Sequence, residues 1–334
     1  RYSSTGNPQN PEDSLYKYMG YHFLEYSLQY VTDLLKEDAH PTFTPLEVLT
    51  VRLKRDSVLI NEQVFRGVLE RGAPIDRDKS NNTAANGVFH EVSKNYQIKV
   101  RRPQRVYWDV ADMPEIRKMP GIFRTPGVST SLEDDQLSEI TWGNNSVPIT
   151  YVCAAGGEQG NQLIYGDYLD INFRTAVIPW VEIQTPIIVK GTYKVWIGSR
   201  HQFSDRRPKY LVYVDGEPLP NVINDGVTID ESRADGELLL EGKKRYNFLT
   251  EENPLGITPY HTYSEGTVFA ALAGTIEIET TGTHTVRLEV INNGDKRLWL
   301  DVIQFIPTNQ DQIWPRMGID GQLYEKPDNY GMVD

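Results

Sequence analysis

The chain has 334 residues, of which 39% are hydrophobic and 24% are charged, and this length predicts two domains of a globular protein. Its formal net charge of -12 argues against nucleic acid or an anionic lipid surface as a partner, because both would repel it. The sequence has no run of 18 apolar residues, which predicts no transmembrane helix, and its one cysteine, Cys153, excludes an intrachain disulfide.

The first hundred residues are predicted to combine helix and strand. Residues 1–14 are polar and predict a linker, whereas residues 15–37 carry apolar side chains at three- and four-residue spacing, which predicts a helix. Residues 46–68 alternate in polarity around the turn signal "RDS", which predicts a β-hairpin. A turn-rich segment follows at 76–87, and "VFHEVSKNY" then predicts a further short strand.

Residues 101–147 have no clear periodicity and are predicted to connect two domains. They contain an acidic run, "SLEDDQLSE", which is typical of a solvated surface. One short helix is predicted near 112–118. The prolines that interrupt the segment are Pro103, Pro114, Pro120 and Pro126.

An all-β domain is predicted from 148 to 307, because short alternating runs are separated by Gly, Pro, Asn and Asp turns at the spacing of a sandwich. The remaining residues, 308–334, are polar and are predicted to lie on the surface as a C-terminal tail. The predicted strands cover 149–155, 168–174, 180–189, 191–198, 210–214, 267–279, 283–291 and 298–306.

Catalytic and metal-binding motifs are missing from the sequence. The six histidines form neither an HxH nor an HExxH pattern, and no GxSxG motif or phosphate-binding glycine loop is present. The acidic loop 224–237 has oxygen ligands for Ca²⁺ but lacks the spacing of an EF-hand. A glycoside hydrolase needs only two carboxylates, so this alternative to a non-enzymatic protein stays open.

The last predicted strand places a carboxylate among apolar residues. Strict alternation puts Trp299, Asp301, Ile303 and Phe305 on one face, and puts residues 298, 300, 302 and 304 on the other. A buried carboxylate needs a partner, so Asp301 is predicted either to accept backbone N–H bonds, which is favoured, or to coordinate a cation.

Three segments of the β-domain resemble carbohydrate-binding modules of the family 6/35 type, which are galactose-binding-like jelly rolls. These segments are "YGDYLDI" at 165–171, "VKGTYKVWIGS" at 189–199, and "GTHTVRLEV" with "LWLDVIQFI" at 282–306. The resemblance implies that Asp301 helps to hold a structural Ca²⁺, although the acidic first strand that completes this site in the family is absent here. Trp299 stands where the family has a sugar-binding asparagine.

The resemblance implies a saccharide ligand, which stacks its C–H faces on aromatic rings. The loop 243–263 concentrates four aromatic residues and is the favoured site; the alternative is that these rings only attach the loop to the domain. The candidate platforms are Trp180, Tyr246, Phe248, Tyr260, Tyr263 and Trp299. Their candidate polar partners are Arg206, Arg207, Asn247 and His261.

The N-terminal residues resemble the later half of a fasciclin (FAS1) domain. The match covers Tyr21 and His22 in "YMGYHFLEYSL", and Asn86, Gly87 and His90 in "TAANGVFHEV". Because the family's first half has no counterpart before residue 18, a partial FAS1-like domain is expected over 15–100.

These observations predict a mostly β protein with a smaller α+β N-terminal part and a C-terminal jelly roll. Together the two resemblances imply a surface lipoprotein of Bacteroidota, on the extracellular face of the outer membrane, that binds a polysaccharide or oligosaccharide and has no catalytic activity. The alternative is a structural or adhesion subunit of a glycan-uptake complex, with an outer-membrane glycan transporter as its partner. No cofactor is expected beyond the Ca²⁺ at Asp301.

Overall fold

The architecture comes from a computed structural model. It describes residues 7, 9–24, 28–35, 39–45, 47–65, 68–98, 102–155, 163–200, 208–227, 233–248, 268–292 and 297–327. Every helix in these ranges falls short of the length and apolar character that a membrane span needs.

The N-terminal part is a small antiparallel sheet with two short helices. Its five strands lie in the order β1-β2-β3-β6-β9, and its own core includes Val31, Val51 and Ile60. The elements are α1 (Ser14–Gly20), α2 (Val31–Leu34), β1 (Ala39–Pro41), β2 (Val48–Lys54), β3 (Ser57–Ile60), β4 (Gln63–Phe65), β5 (Val68–Glu70), β6 (Ala73–Asp76), β7 (Asn82–Ala84), β8 (Gly87–Phe89) and β9 (Glu91–Val92).

The hairpin predicted at 46–68 is confirmed by β2 and β3, whereas the single helix predicted at 15–37 is wrong. Helix α1 ends at Gly20 because the next residue, Tyr21, is fully buried and its hydroxyl donates to the Val48 carbonyl at 3.0 Å. Leu24 then forms a β-bridge with Thr42. Tertiary contacts therefore override the helical periodicity. The FAS1-like assignment stays a prediction.

Two facing sheets, together with a small three-stranded sheet in the order β21-β25-β26, form the rest of the fold. The larger has the order β11-β13-β14-β24-β16-β22-β20, with β10 also pairing β24, and the smaller has the order β12-β15-β23-β17-β18, with β19 pairing β17. The elements are β10 (Val106–Asp109), α3 (Pro114–Arg117), β11 (Ser129–Leu132), β12 (Ile140–Trp142), β13 (Ile149–Cys153), β14 (Asp167–Ile171), β15 (Trp180–Gln184), β16 (Gly191–Arg200), β17 (Lys209–Val214), β18 (Glu217–Pro218), β19 (Ile223–Asn224), α4 (Asp235–Leu240), β20 (Lys243–Lys244), β21 (Asn247–Phe248), β22 (Val268–Ile278), β23 (Thr285–Val290), β24 (Leu298–Pro307), β25 (Arg316–Gly318) and β26 (Leu323–Tyr324).

The predicted β-sandwich and its eight strands are confirmed, and so is the short helix, which is α3. The segment 101–147 differs from the prediction, because it contributes β10 and β11 to the larger sheet and β12 to the smaller one. Its prolines lie outside these three strands, so they do not interrupt the hydrogen-bonded ladders. The segment is therefore part of the sandwich and does not act as a connector.

Apolar side chains cover both faces of the larger sheet. One cluster fills the space between the two sheets and includes Cys153, the predicted buried thiol. A second cluster lies on the other face of the larger sheet, where Tyr246 packs with Trp196 and with Met317 from the C-terminal tail. Because Met317 and its neighbours Trp314 and Arg316 are buried, this part of the tail is packed onto the fold, in contrast to the expected surface position.

A β-bulge at Asp301 changes the alternation in β24. Gly198 pairs with Val302, and its neighbour Ser199 pairs with Leu300, so Asp301 is the extra residue. Asp301 and Val302 both face the second cluster, after which Ile303 and Phe305 return to the space between the sheets. The predicted grouping of Trp299, Asp301, Ile303 and Phe305 on one face is therefore wrong.

Candidate ligand-binding site

A cleft of about 500 Å³ lies between the N-terminal segment and the sandwich, and we call it the Arg124 cleft. Its N-terminal wall includes Gln29, Asp33 and His40. The wall on the sandwich side combines aromatic rings with charged groups. These residues are Trp108, Asp109, Asp112, Arg117, Phe123, Arg124 and Tyr165.

Arg124 is the centre of an ion-pair network in this wall. Its Nη2 atom donates to Oδ2 of Asp109 at 3.2 Å and to Oδ2 of Asp112 at 3.1 Å. Asp112 is also paired with the guanidinium of Arg117. Arg124 therefore bridges Asp109 and Asp112, and Arg117 gives Asp112 a second cationic partner.

The guanidinium of Arg124 is also packed between aromatic rings. It lies 3.2 Å from the centroid of Tyr165 and 4.5 Å from that of Phe123, which is cation–π geometry. The backbone N–H of Arg124 donates to the Tyr151 hydroxyl at 2.8 Å, and this hydroxyl donates to Oδ2 of Asp167 at 2.7 Å. Arg124 is thus fixed by both its backbone and its side chain.

Two carboxyl groups next to Arg124, those of Asp109 and Asp167, have raised pKa values. Burial raises the pKa of Asp109 well above its usual value, and the nearby Asp167 carboxylate adds to the effect. Burial also raises the pKa of Asp167 to about 6, although Arg124 and the Tyr151 hydroxyl favour its charged form. Asp109 and Asp167 therefore stay protonated to a higher pH than an exposed aspartate does.

The C-terminal tail closes one side of the cleft at Gly321. This residue has φ +72°, and a Cβ atom there would lie 1.9 Å from the hydroxyl oxygen of Tyr165. The Tyr165 backbone N–H in turn donates to the Ile319 carbonyl at 2.7 Å. The position of Tyr165 in the cleft therefore depends on a glycine in the tail.

Tyr246, one of the predicted stacking platforms, lies inside the protein. Its side chain is only 1% exposed, and its hydroxyl donates to Oδ2 of Asp301 at 2.5 Å. A buried ring has no face for a saccharide, so the prediction for Tyr246 is wrong. Its role here is to satisfy a buried carboxylate.

Trp180 and Trp299 lie on the outer faces of opposite sheets, so they do not share one site. Trp180, on β15, is half-buried under the guanidinium of Arg287 at 4.4 Å from the ring centroid. Trp299, on β24, is half-buried beside Tyr168 and under Arg200, which lies 4.7 Å from the ring centroid. Cationic side chains thus occupy one face of each ring.

Of the other predicted binding residues, Asn247 is half-buried in β21, where it pairs with Met317, and the rest lie outside the described residues, at least in their side chains. Phe248 is described only through its backbone, which belongs to β21 and pairs in parallel with β25. The loop assignment therefore stays a prediction for them. The residues that fall wholly outside the described ranges are Arg206, Arg207, Tyr260, His261 and Tyr263.

Asp301 is fully buried and accepts from two donors. Its Oδ2 atom receives the Tyr246 hydroxyl and the Ile164 backbone N–H, the latter at 3.2 Å. Burial raises the pKa of Asp301 well above its usual value, while these hydrogen bonds oppose the shift. Calcium requires several oxygen ligands, and donors at Oδ2 do not fit that requirement.

No group of three or more potential ligand side chains is positioned for a metal within the described ranges. In the acidic loop 224–237, Asp225 bonds the hydroxyl of Ser199, and Asp235 is ion-paired with Arg245 and Arg316. These carboxylates are thus committed to protein partners. The Ca²⁺ assignment remains a prediction without a fitting ligand set.

Sequence reasoning missed the Arg124 cleft because it assigned 101–147 to a connector. A usable signal exists in "RVYWDV", where Val106, Trp108 and Val110 alternate as in a strand. The proximity of Arg124 to Tyr165 has no such signal, because it depends on how distant segments pack.

Comparisons with known proteins give structural similarity only. No family model matches the sequence, and no curated protein matches it. Among solved structures, the chain is similar to a Paenibacillus xanthan lyase, with 11% identity and a TM-score of 0.33 over 78% of this chain. It is also similar to a Podospora anserina GH26-CBM35 β-(1,4)-mannanase, with 11% identity and a TM-score of 0.28 over 63% of this chain.

A family 35 carbohydrate binding module from Clostridium thermocellum is similar over its whole length. It matches 55% of this chain with 7% identity and a TM-score of 0.23. The chain spans only 21% of the lyase and 29% of the mannanase. The structures that resemble this protein thus include a carbohydrate-binding module and enzymes far longer than the matched region.

Proposed function

We propose that this protein binds saccharides without transforming them and that the Arg124 cleft is a binding site. The observation that carries the proposal is the pairing of aromatic rings with charged groups in a cleft of about 500 Å³. Tyr165 and Phe123 are half-buried in its wall and supply apolar surface for the C–H face of a sugar. Arg117 and Asp112 supply donors and acceptors for hydroxyl groups.

The position of Arg124 favours binding over hydrolysis. A glycoside hydrolase holds its substrate between two carboxyl groups. Here Nη2 of Arg124 bonds both Asp109 and Asp112, so a guanidinium lies where the glycosidic bond would have to lie. Both carboxylates are therefore engaged with the protein itself.

Titration calorimetry against a panel of neutral polysaccharides and oligosaccharides tests the site. We expect Phe123→Ala and Arg117→Gln to weaken binding about tenfold each, because each removes a contact worth roughly 1–2 kcal/mol. Trp180→Ala, on the distant sheet, is the control and should leave binding unchanged. An absence of binding to every saccharide, or unchanged binding in both cleft variants, would contradict the proposal.

Two further measurements separate the alternatives. Loss of binding in Tyr260→Ala and Tyr263→Ala, with no effect of the cleft variants, would move the site to the loop 243–263. Release of new reducing ends from a bound saccharide would show that the protein is an enzyme.

The setting that we propose is the extracellular face of an outer membrane, where the N-terminal FAS1-like part makes protein contacts. Exposed apolar side chains favour such contacts. Leu15 and Met19 lie one turn apart on α1 and are each 50% exposed. Phe23 and Phe43 pack edge to face at 6.4 Å and are each 57% exposed.

These apolar residues also support the second candidate, a structural or adhesion subunit of a glycan-uptake complex without saccharide affinity of its own. Purification from native membranes distinguishes the two functions. Stable association with an outer-membrane transporter that Met19→Asp and Phe23→Asp abolish, combined with no saccharide affinity, would favour the subunit.

A further inference from the structure

A second pocket, of about 440 Å³, lies entirely within the N-terminal part, and we call it the Arg71 pocket. It opens where β3 ends, where β6 begins, and where the segment after β9 passes α1. Ile60 and Ala73, both buried, belong to its lining. Its polar and aromatic lining comes from Tyr18, Asn61, Arg71, Lys94, Asn95, Tyr96 and Gln97.

The segment that carries three of these residues is fixed to the core. Asn61 has φ +58°, and its side chain accepts from the Thr50 backbone N–H at 3.0 Å and donates to the Tyr21 hydroxyl at 2.9 Å. The same side chain donates to the Gln97 carbonyl at 3.4 Å. The buried Asn61 side chain therefore fixes the segment 94–97, so this wall of the pocket has a defined position.

The ring of Tyr96 is held by stacking. His22 lies 4.4 Å from it, centroid to centroid, with an interplanar angle of 32°, and Tyr21 meets it edge-on at 6.0 Å. Burial and the neighbouring Tyr18 hydroxyl raise the pKa of Tyr96 to about 12. Tyr96 therefore remains a neutral phenol, with both an apolar face and a hydroxyl donor.

The charged residues in the lining of the Arg71 pocket are both positive. Arg71 and Lys94 are both exposed, and the lining contains no carboxylate. Lys94 Nζ donates to the backbone carbonyl of Arg71 at 3.3 Å, both residues line the same pocket, and neither side chain forms an ion pair within the described residues. In a chain with 46 acidic and 34 basic residues, a pocket lining with two cationic residues and no carboxylate favours an anionic ligand.

Uncommitted amides complete the donor set. The side chains of Asn95 and Gln97 are exposed and have no hydrogen-bond partner within the described part of the chain. Amides bond hydroxyl groups both as donors and as acceptors, whereas Arg71 and Lys94 only donate. A ligand that satisfies this lining carries a carboxylate, several hydroxyl groups and an apolar ring face.

We propose that the Arg71 pocket binds the uronate unit of an acidic saccharide, with the carboxylate on Arg71 and Lys94 and the hydroxyl groups on Asn95 and Gln97. The identity of the sugar rests on the proposed saccharide-binding function, whereas the pocket is separate from the Arg124 cleft. Tyr18 and Tyr96 supply the apolar surface.

Calorimetric titration of the whole chain with a glucuronate or galacturonate oligosaccharide tests this inference. We expect the double variant Arg71→Gln, Lys94→Gln to bind at least about tenfold more weakly, because charge-assisted hydrogen bonds are lost. Arg77→Gln removes an exposed charge outside the pocket and should bind as the parent protein does. Because all three side chains are exposed, thermal unfolding should be unchanged.

Two further ligands test whether the pocket requires both the carboxylate and the sugar. The neutral glucose or galactose oligosaccharide of the same linkage should bind at least tenfold more weakly than the uronate, and sodium acetate should not compete at equal concentration. Equal binding of the neutral sugar, equal competition by acetate, or an unaffected double variant would each overturn the proposal. Cleft variants such as Phe123→Ala should leave uronate binding unchanged. The experiment therefore distinguishes an incorrect assignment of the Arg71 pocket from an incorrect assignment of the Arg124 cleft.

Discussion

The guanidinium of Arg124 lies 3.2 Å from the centroid of the Tyr165 ring, and both residues have left-handed backbone angles, at φ +49° and +54°. Such angles in residues other than glycine cost about 1–3 kcal/mol each. The contact and the ion pairs of Arg124 therefore hold two segments in conformations that neither would adopt alone. The wall of the cleft at Arg124 and Tyr165 is therefore held by tertiary interactions that outweigh this backbone strain.

The first prediction concerns the charge of Arg124. Arg124→Met should lower the free energy of unfolding by about 3–5 kcal/mol, because it leaves the buried Asp109 carboxyl beside Asp112 and Asp167 without a cation. Urea denaturation measures this change. Arg287→Met is the matched control, since Arg287 also covers a ring but is paired with Glu289 at the surface, and its loss should cost less than about 1 kcal/mol.

Adding Asp109→Asn to Arg124→Met should recover part of the lost stability, because it removes one of the unpaired carboxyl groups. A cost for Arg124→Met as small as that of Arg287→Met would contradict the structural role of the network.

The second prediction concerns pH. The pKa of Asp167 is about 6 in the folded protein, which is above that of an aspartate in an unfolded chain, so the folded state binds the proton more tightly. The resulting stabilisation is fully present below pH 4 and is lost as the pH rises through 6. The magnitude is on the order of 2–3 kcal/mol.

Asp167→Asn should remove this dependence, because an amide keeps the acceptor for Tyr151 without a charge. The measurement is urea denaturation at several pH values between 4 and 7, and the variant should gain stability over the parent protein as the pH rises. Asp78→Asn, at an exposed carboxylate, should leave the parent pH profile unchanged. A parallel pair of curves for the parent protein and Asp167→Asn would show that the buried site is ionised throughout.

The third prediction concerns the tail. Gly321→Ala should release residues around 321 from the sandwich, because its Cβ atom would overlap the Tyr165 hydroxyl. Gly216→Ala has a similarly positive φ, +82°, but no neighbour within 4 Å, so it should cost only about 1 kcal/mol of backbone strain. Limited proteolysis after residue 307 and the fluorescence of the buried Trp314 measure the release.

Gly87→Ala completes the series, since nothing lies within 4 Å of that position, and it should leave the tail protected. If Gly321→Ala were as resistant to protease as Gly216→Ala, the tail would not depend on the contact with Tyr165.

The fourth prediction concerns Tyr246. Tyr246→Phe should lower stability by about 1–3 kcal/mol, because Asp301 loses a donor while remaining buried. Saccharide binding should be unchanged, since the ring is inaccessible. A loss of binding with unchanged stability would restore Tyr246 as a ligand-contacting residue.

The sandwich was predictable from the sequence because strands such as β13, β15, β17 and β23 alternate between buried and less buried residues. The strands β10, β11 and β12 were not predicted, since each is short and the prolines between them suggested a connector. The helix at 15–37 failed because the burial of Tyr21 ends α1 early. Local periodicity thus predicts elements that are long enough to repeat, and tertiary contacts decide the others.

The candidate sites were less predictable than the fold. Aromatic residues were recognisable as a class, but their exposure was not: Tyr246 is buried, whereas Tyr165 lines the Arg124 cleft. The Arg71 pocket brings together Arg71, which follows β5, and Lys94, which follows β9. Neither the burial of a ring nor the meeting of two turns has a signature in the order of residues.

The bulge at Asp301 has a consequence for any change in the length of β24. If β24 kept all its residues but lost the bulge, strict alternation from Leu300 would turn Val302 inward and would rotate Ile303 and Phe305 toward the outer side of the sheet. The inward position of Ile303 and Phe305 therefore depends on the one unpaired residue that Asp301 adds to the strand. In this protein the length of the last strand carries as much structural information as its composition.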